Sequence, residues 1–322
     1  MFLRFEITYN RAKTSVQLLQ ILKSNADVNG RSKPVIRCTI SKTPGTLQTE
    51  TIPGRSITQS SFLSKNAMIR EAYEMLYFDE YGNKDHPVIL MLHGAGALDT
   101  FSHQYCFAEK YRLIVPHLPG AGKAAGQIYD PQKTKNDIIE LMDHIGQKPI
   151  GIIGHSLGGQ LAIMLVCERP ERFRFAVFLS AWVDPEPSAI QFYCRLAEIS
   201  AAMLHWPWLV RLQGKYWNFT PEQTAYMAEY SKHIAPEIYR SFFAHTLELG
   251  KLPSYPSVHI PMTAICGSKE TKGIRSSLDL LAKNPYCQAI TLPNANHDFP
   301  MRNPEALNRI LAKIFSQYIK DA

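Results

Sequence analysis

Six short apolar runs constrain the architecture of this chain more than any other feature: residues 87–92, 112–115, 149–153, 175–179, 262–266 and 288–291. Each has the length of a buried strand, and stretches with helical spacing stand between them. A strand that is apolar on both faces belongs in a sheet covered on both sides, and the alternation with helices makes that sheet mostly parallel. The expected fold class is therefore α/β, a mostly parallel central sheet flanked by helices. Asp130-Pro131 starts one helix whose Ile138, Leu141, Met142 and Ile145 share an apolar face. Near the end Asn303 is expected to cap a helix with Pro304 in its first turn, and Leu307, Ile310, Leu311, Ile314, Phe315 and Tyr318 form its core stripe.

The rhythm breaks between about residues 185 and 256, where no strand signal appears and helical patterns carry Trp206, Trp208, Tyr216, Trp217, Phe219, Phe242 and Phe243. This predicts a helical insertion lying over the sheet as a lid. Trp206, Trp208 and Trp217 are candidates to line an apolar substrate pocket, while most of the aromatics have the simpler role of sealing the insertion onto the sheet.

The 322 residues suffice for one main domain, expected over residues 66–322. The formal charge of +7 is uneven: residues 1–65 hold 10 Lys and Arg against 3 Asp and Glu, leaving 25 against 25 for the rest. A neutral body with a basic, hydroxyl-rich extension argues against a nucleic-acid-binding face. The extension is expected to be poorly ordered, with one helical candidate at residues 15–23; read as a transit peptide it would send the chain to an organelle. No apolar run approaches the roughly 20 residues that span a bilayer. The six cysteines show no C-x-x-C pairing, which suits reduced thiols in the cytoplasm.

Gly154-His155-Ser156-Leu157-Gly158 follows the run 149–153 and precedes a helical stretch ended by Pro170. Strand, sharp turn and helix form the context in which a serine becomes an exposed nucleophile. The glycines on either side relieve crowding in that turn, and the helix start aims the Leu157 N–H at charge forming beside the Ser156 oxygen. His93-Gly94-Ala95-Gly96 follows the run 87–92, so the Ala95 N–H can join that of Leu157 as an oxyanion hole. His93 reads as a shaper of this loop rather than a base; with Gly94 and His155 it is also a candidate substrate contact.

Among the 11 histidines, His297 lies after the last strand run, at the sheet edge where ligands bind in such folds. There an imidazole can take the Ser156 proton and return it to a leaving group. A carboxylate must hold that imidazole. Glu270, beyond the run 262–266, is preferred, and Asp184, beyond the run 175–179, is the alternative.

In their order and spacing, the loop 93–96, the elbow 154–158, Gly267-Ser268-Lys269-Glu270 and Asn296-His297 resemble the α/β-hydrolase superfamily over residues 68–322. The resemblance implies Ser156 as nucleophile, His297 as base, Glu270 as acid, and Ala95 and Leu157 amides as oxyanion donors, with no metal or organic cofactor. Two positions depart from the usual pattern: Glu270 stands where many members have Asp, and His117 stands where many have a structural Asp. A serine at the elbow points to acyl chemistry on a small molecule, an ester, thioester or lactone with an apolar acyl or alkyl group, or to carbon–carbon cleavage of a diketone. A receptor or binding protein on the same scaffold is the alternative from another class. A membrane-associated lipase docking through its lid gains little from the near-neutral charge of the body.

Overall fold

The structure, a computed structural model, describes residues 7–8, 35–40, 46–52, 76–146 and 150–319. The chain divides into two compact units, Met1–Glu74 and Met75–Ala322. In the first, β1 (Ile7–Thr8), β2 (Val35–Ile40) and β3 (Thr46–Ile52) form an antiparallel sheet in the order β1-β3-β2, with Val35 opposite Ile52 and Ile40 opposite Leu47. This differs from the expectation of little regular structure. The many β-branched residues in these segments, Val35, Ile36, Thr39 and Ile40 in β2 and Thr46, Thr49, Thr51 and Ile52 in β3, favour strands despite their polar neighbours. The helical candidate at residues 15–23 lies outside the described residues.

The second unit holds a seven-stranded sheet in the order β10-β9-β8-β7-β5-β6-β4. Its strands are β4 (Phe78–Tyr81), β5 (Val88–Leu92), β6 (Arg112–Pro116), β7 (Ile150–His155), β8 (Phe173–Leu179), β9 (Met262–Gly267) and β10 (Cys287–Leu292). All neighbours pair in parallel except β4, which runs antiparallel to β6 at one edge. The six apolar runs all fall on strands. The edge strand β4 was hidden because Phe-Asp-Glu-Tyr is half-buried along its length and carries no apolar run.

Helices flank this sheet. The Asp130 side chain accepts from the Lys133 N–H at 2.7 Å and Pro131 opens α1 (Pro131–Ile145), as their order predicts; Gly146 in the left-handed region ends it. Helix α2 (Leu157–Glu168) follows β7 directly and is buried along nearly its whole length.

Between β8 and β9 come α3 (Pro187–Leu204), α4 (Pro207–Tyr216), α5 (Pro221–Ser231) and α6 (Pro236–Ala244). Each starts on a proline, whose fixed φ and missing N–H cost nothing in a first turn. Helix α7 (Lys272–Leu281) joins β9 to β10, and the short α8 (Phe299–Arg302) leads into α9 (Pro304–Tyr318). Asn303 precedes α9 but makes no capping side-chain bond, contrary to expectation.

The chain leaves β5 toward β6 on one side and later returns to β7 on the other. The loops leaving the carboxyl ends of β5 and β7 therefore diverge, opening a crevice at that edge. On α9, fully buried Phe315 meets Phe107, Tyr111 and Phe175 with ring centroids 4.9, 5.0 and 5.7 Å away. Phe315→Ala is expected to destabilise the protein by about 3–5 kcal/mol, read as a lower midpoint in urea unfolding.

Candidate active site

The crevice begins with the turn between β7 and α2. Ser156 sits there at φ 53° and ψ −112°, in the left-handed half of the map that a side-chain-bearing residue enters only under constraint. The constraint comes from both sides: the Ser156 N–H donates to the Leu179 carbonyl at 2.8 Å, and its carbonyl accepts from the Gln160 N–H at 3.1 Å. The helix doubles back so tightly that a Cβ at position 154 would lie 2.1 Å from the Gly158 oxygen, and it passes so close to the end of β5 that a Cβ at 158 would lie 2.0 Å from the Leu92 oxygen. Only glycine fits at either place. Ser156 is left half-buried, and Leu157 behind it opens a helix whose first N–H groups lack helical partners.

The loop after β5 is held as a turn. Gly94 donates its N–H to Thr100 Oγ1 at 3.3 Å, and its carbonyl accepts from the Ala97 N–H at 3.2 Å and from His93 Nδ1 at 2.7 Å. His93 Nε2 accepts from the Leu118 N–H at 3.1 Å. With both nitrogens engaged inside the protein, burial lowers the His93 pKa to about 4. Ala95 and Gly96 remain as the half-buried tip.

Glu270 follows β9 and is buried, with no exposed side-chain surface. Its Oε1 accepts from Ser180 Oγ and from the Gly267 N–H, each at 2.7 Å, and its Oε2 accepts from His297 Nδ1 at 2.8 Å. Burial pushes this carboxyl upward, but the His297 hydrogen bond and charge, with the two other donors, outweigh it and hold the group below its ordinary value. The His297 side chain is 45% exposed, and its Nε2 is the ring nitrogen not used by the carboxylate. Asp184 is exposed, and its backbone N–H, not its carboxylate, is engaged, donating to Ser277 Oγ at 3.2 Å. The structure thus brings Glu270, rather than Asp184, to the imidazole.

Several of the residues expected at the substrate have other partners in the structure. His155 is buried and its Nε2 donates to the His297 carbonyl at 2.8 Å; burial, reinforced by the neighbouring His297, drops its pKa to about 3. It braces the His297 loop. His93 and Gly94 likewise engage their polar atoms inside the protein, with each other, Ala97, Thr100 and Leu118. Trp206 and Trp208 lie on the outer surface, stacked with centroids 6.2 Å apart, and Trp217 packs on Phe219 at 5.5 Å. Trp206 and Trp208 thus face solvent, and Trp217 is half-buried.

Sequence reasoning missed Ser180, which takes up a left-handed φ of 50° just beyond β8 and donates to Glu270. It also missed Tyr230 on α5, whose hydroxyl donates to the Gly96 carbonyl at 3.1 Å and accepts from the Leu98 N–H at 3.4 Å. Gln223, also on α5, donates to buried Asp99 at 3.2 Å, and burial raises that carboxyl to about 6. Only a positive-φ demand after β8 and a polar residue on an apolar helix face could have signalled these. His117 accepts from the Lys123 N–H at 2.9 Å and meets Asp79 at 3.1 Å, a structural role for the departing position.

Among the described residues no helix is long and apolar enough to cross a membrane. The model of the alpha/beta hydrolase family matches residues 89–310. A relative from Caulobacter sp. (strain K31), named "Putative carbamate hydrolase RutD", is 24% identical over 258 residues, 75% of this chain and 96% of that one. Two solved structures share the fold. One comes from work on carboxylesterases of the thaumarchaeon Nitrososphaera gargenis, with TM-score 0.62 and 16% identity over 76% of this chain and 96% of that one. The other is the enol-lactonase from Burkholderia xenovorans LB400, with TM-score 0.61 and 17% identity over 75% and 96%. With its elbow, crevice and sheet order in place within the matched span, the chain belongs to the alpha/beta hydrolase family and is a hydrolase.

Proposed function

We propose that this hydrolase cleaves a carboxylic ester, thioester or lactone with an apolar acyl or alkyl group, through Ser156, His297 and Glu270. The observation that carries the reading is the buried Glu270 carboxylate bonded to His297 Nδ1 at 2.8 Å, because it fixes the tautomer whose Nε2 can accept a proton. Ser156 Oγ attacks the carbonyl carbon and His297 Nε2 takes its proton. The oxyanion is held by the Leu157 and Ala95 N–H groups. His297 then protonates the leaving group, and water, deprotonated by the same imidazole, releases the acid and restores the serine. Glu270 stays ionised throughout and balances the imidazolium. The four-helix insertion serves as a lid whose α6 and the turn before it adjoin the loop tip, with Tyr239 and Ile234 facing Gly96. A relative named as a carbamate hydrolase and fold neighbours named for carboxylesterases and an enol-lactonase support this class.

Ser156→Ala is expected to lower kcat by about 10⁶-fold on a short-chain p-nitrophenyl ester and to abolish labelling by a fluorophosphonate probe. A folded wild type that neither labels nor turns over would instead fit a binding protein.

Glu270→Gln is expected to lower kcat/KM by roughly 10⁴-fold at neutral pH by removing the charge that orients and balances the imidazole. Because the folded pKa of Glu270 lies below its ordinary value of 4.5, its charge favours folding above that value. That advantage disappears as pH falls through the lower folded value. Paired urea titrations should therefore show the wild type's stability lead over Glu270→Gln steady at neutral pH and shrinking on acidification below the ordinary carboxylate range.

A further inference from the structure

Helix α3 is packed inside out. The residues it buries are small, Cys194, Ala197 and Ala201, while Phe192, Leu196, Ile199 and Met203 stand exposed at i, i+4, i+7 and i+11. Phe192 is 61% exposed and Ile199 is 70% exposed. A helix on a soluble surface normally turns its large apolar residues inward, so this stripe needs a cover. It continues onto α4, where Trp208, Leu212 and Tyr216 are exposed at i, i+4 and i+8, and the stacked Trp206–Trp208 pair marks the corner between the helices.

Charge decides what covers it. From Ile199 to Pro221 there is no Asp or Glu, whereas Arg211 and Lys215 interleave with the apolar residues of α4. Neither makes an ion pair among the described residues. Both line a cavity of about 640 Å³ between α4 and α5, together with Asn218, Thr224 and the mutually paired Glu229 and Lys232. Arg302 stacks over Tyr216 at 4.6 Å and donates to Asn218 Oδ1 at 3.4 Å, adding a third cation at that rim. Glu229 is already paired with Lys232, so a self-complementary contact with a second copy would bring the unpaired Arg211 and Lys215 of both copies together, which like-charge repulsion disfavours. Exposed aromatics and aliphatics edged by lysine and arginine match the interface of an anionic bilayer, where tryptophan sits at headgroup depth and cations meet phosphates.

We propose that the outer face of α3 and α4 docks on an anionic phospholipid surface, the apolar stripe entering the acyl boundary and the Arg211–Lys215 cavity receiving a headgroup phosphate. The contact is peripheral, and it does not depend on the triad.

Flotation of the full chain with vesicles tests this, using phosphatidylcholine alone and phosphatidylcholine mixed with phosphatidylglycerol. The wild type should partition about tenfold more strongly onto the anionic vesicles, lose that preference at high salt, and shift its tryptophan emission to the blue on binding. Phe192→Ser with Ile199→Ser, and separately Arg211→Glu with Lys215→Glu, should each reduce anionic-vesicle binding about tenfold while leaving the thermal midpoint unchanged. These side chains are solvent-exposed, so the variants should fold. A wild type that binds neither vesicle overturns the proposal. Binding retained by both variants also overturns it, placing the attraction in the basic first 65 residues. A wild-type dimer that the Phe192/Ile199 variant dissolves would make a second copy the occupant instead.

Discussion

A carboxylate with no exposed surface must find donors or lose its charge, and Glu270 finds three. Leaving such a charge uncompensated costs several kcal/mol, so the donors are not interchangeable with solvent. They come from three separate places: Ser180 beyond β8, the Gly267 amide at the end of β9, and His297 beyond β10. One buried charge thus ties together the loops of three neighbouring strands. The Lys269 N–H donating to the Ala295 carbonyl at 3.0 Å reinforces the same seam.

The opposite wall of the crevice is built without charge. His93 and His155 are buried and pushed to about 4 and about 3 mainly by burial, so both are neutral wherever a carboxylate–imidazole pair can operate. His93 ties the β5 loop to Leu118; His155 ties the elbow to the carbonyl of His297. Their neutrality matters electrostatically: a cation at either position would oppose the imidazolium that must form at His297, whose ring centroid is 4.9 Å from that of His155. Of these three histidines only His297 keeps an exposed edge. The strained Ser156 backbone is held between this wall and the carboxylate side by its bond to Leu179.

Much of this was legible in the residues because its causes are local. Strand-length apolar runs fix the sheet, and of the two glycines flanking the serine Gly154 is demanded inside the turn itself, by the Gly158 backbone, while Gly158 answers to Leu92 on the neighbouring strand. Glu270 over Asp184 was a matter of which loop a carboxylate leaves, and it is Glu270 that lies 2.8 Å from His297 Nδ1. What stayed hidden depends on contacts between distant segments. Ser180 meets Glu270 across 90 residues of sequence and Tyr230 meets Gly96 across 134, and nothing beside either residue signals its partner. The strand β4 escaped for a different reason, since an edge strand covered on one side does not need an apolar run.

The aromatic insertion shows most sharply what composition alone conceals. Its tryptophans were legible as a group but not by direction, because helical spacing gives a stripe and only packing says which way it faces. On α3 the small residues face inward and allow close approach to α6, where Tyr193 stacks on Phe243 at 5.6 Å. That close approach leaves the large side chains outside. Charge summed over the body gives zero and argues against a membrane surface, yet the sum hides 23 acid-free residues from Ile199 to Pro221. One insertion can therefore brace the β5 loop through Tyr230 and Gln223 on its inner side and present an apolar, cationic face on its outer side. The two roles use different helix faces and do not compete.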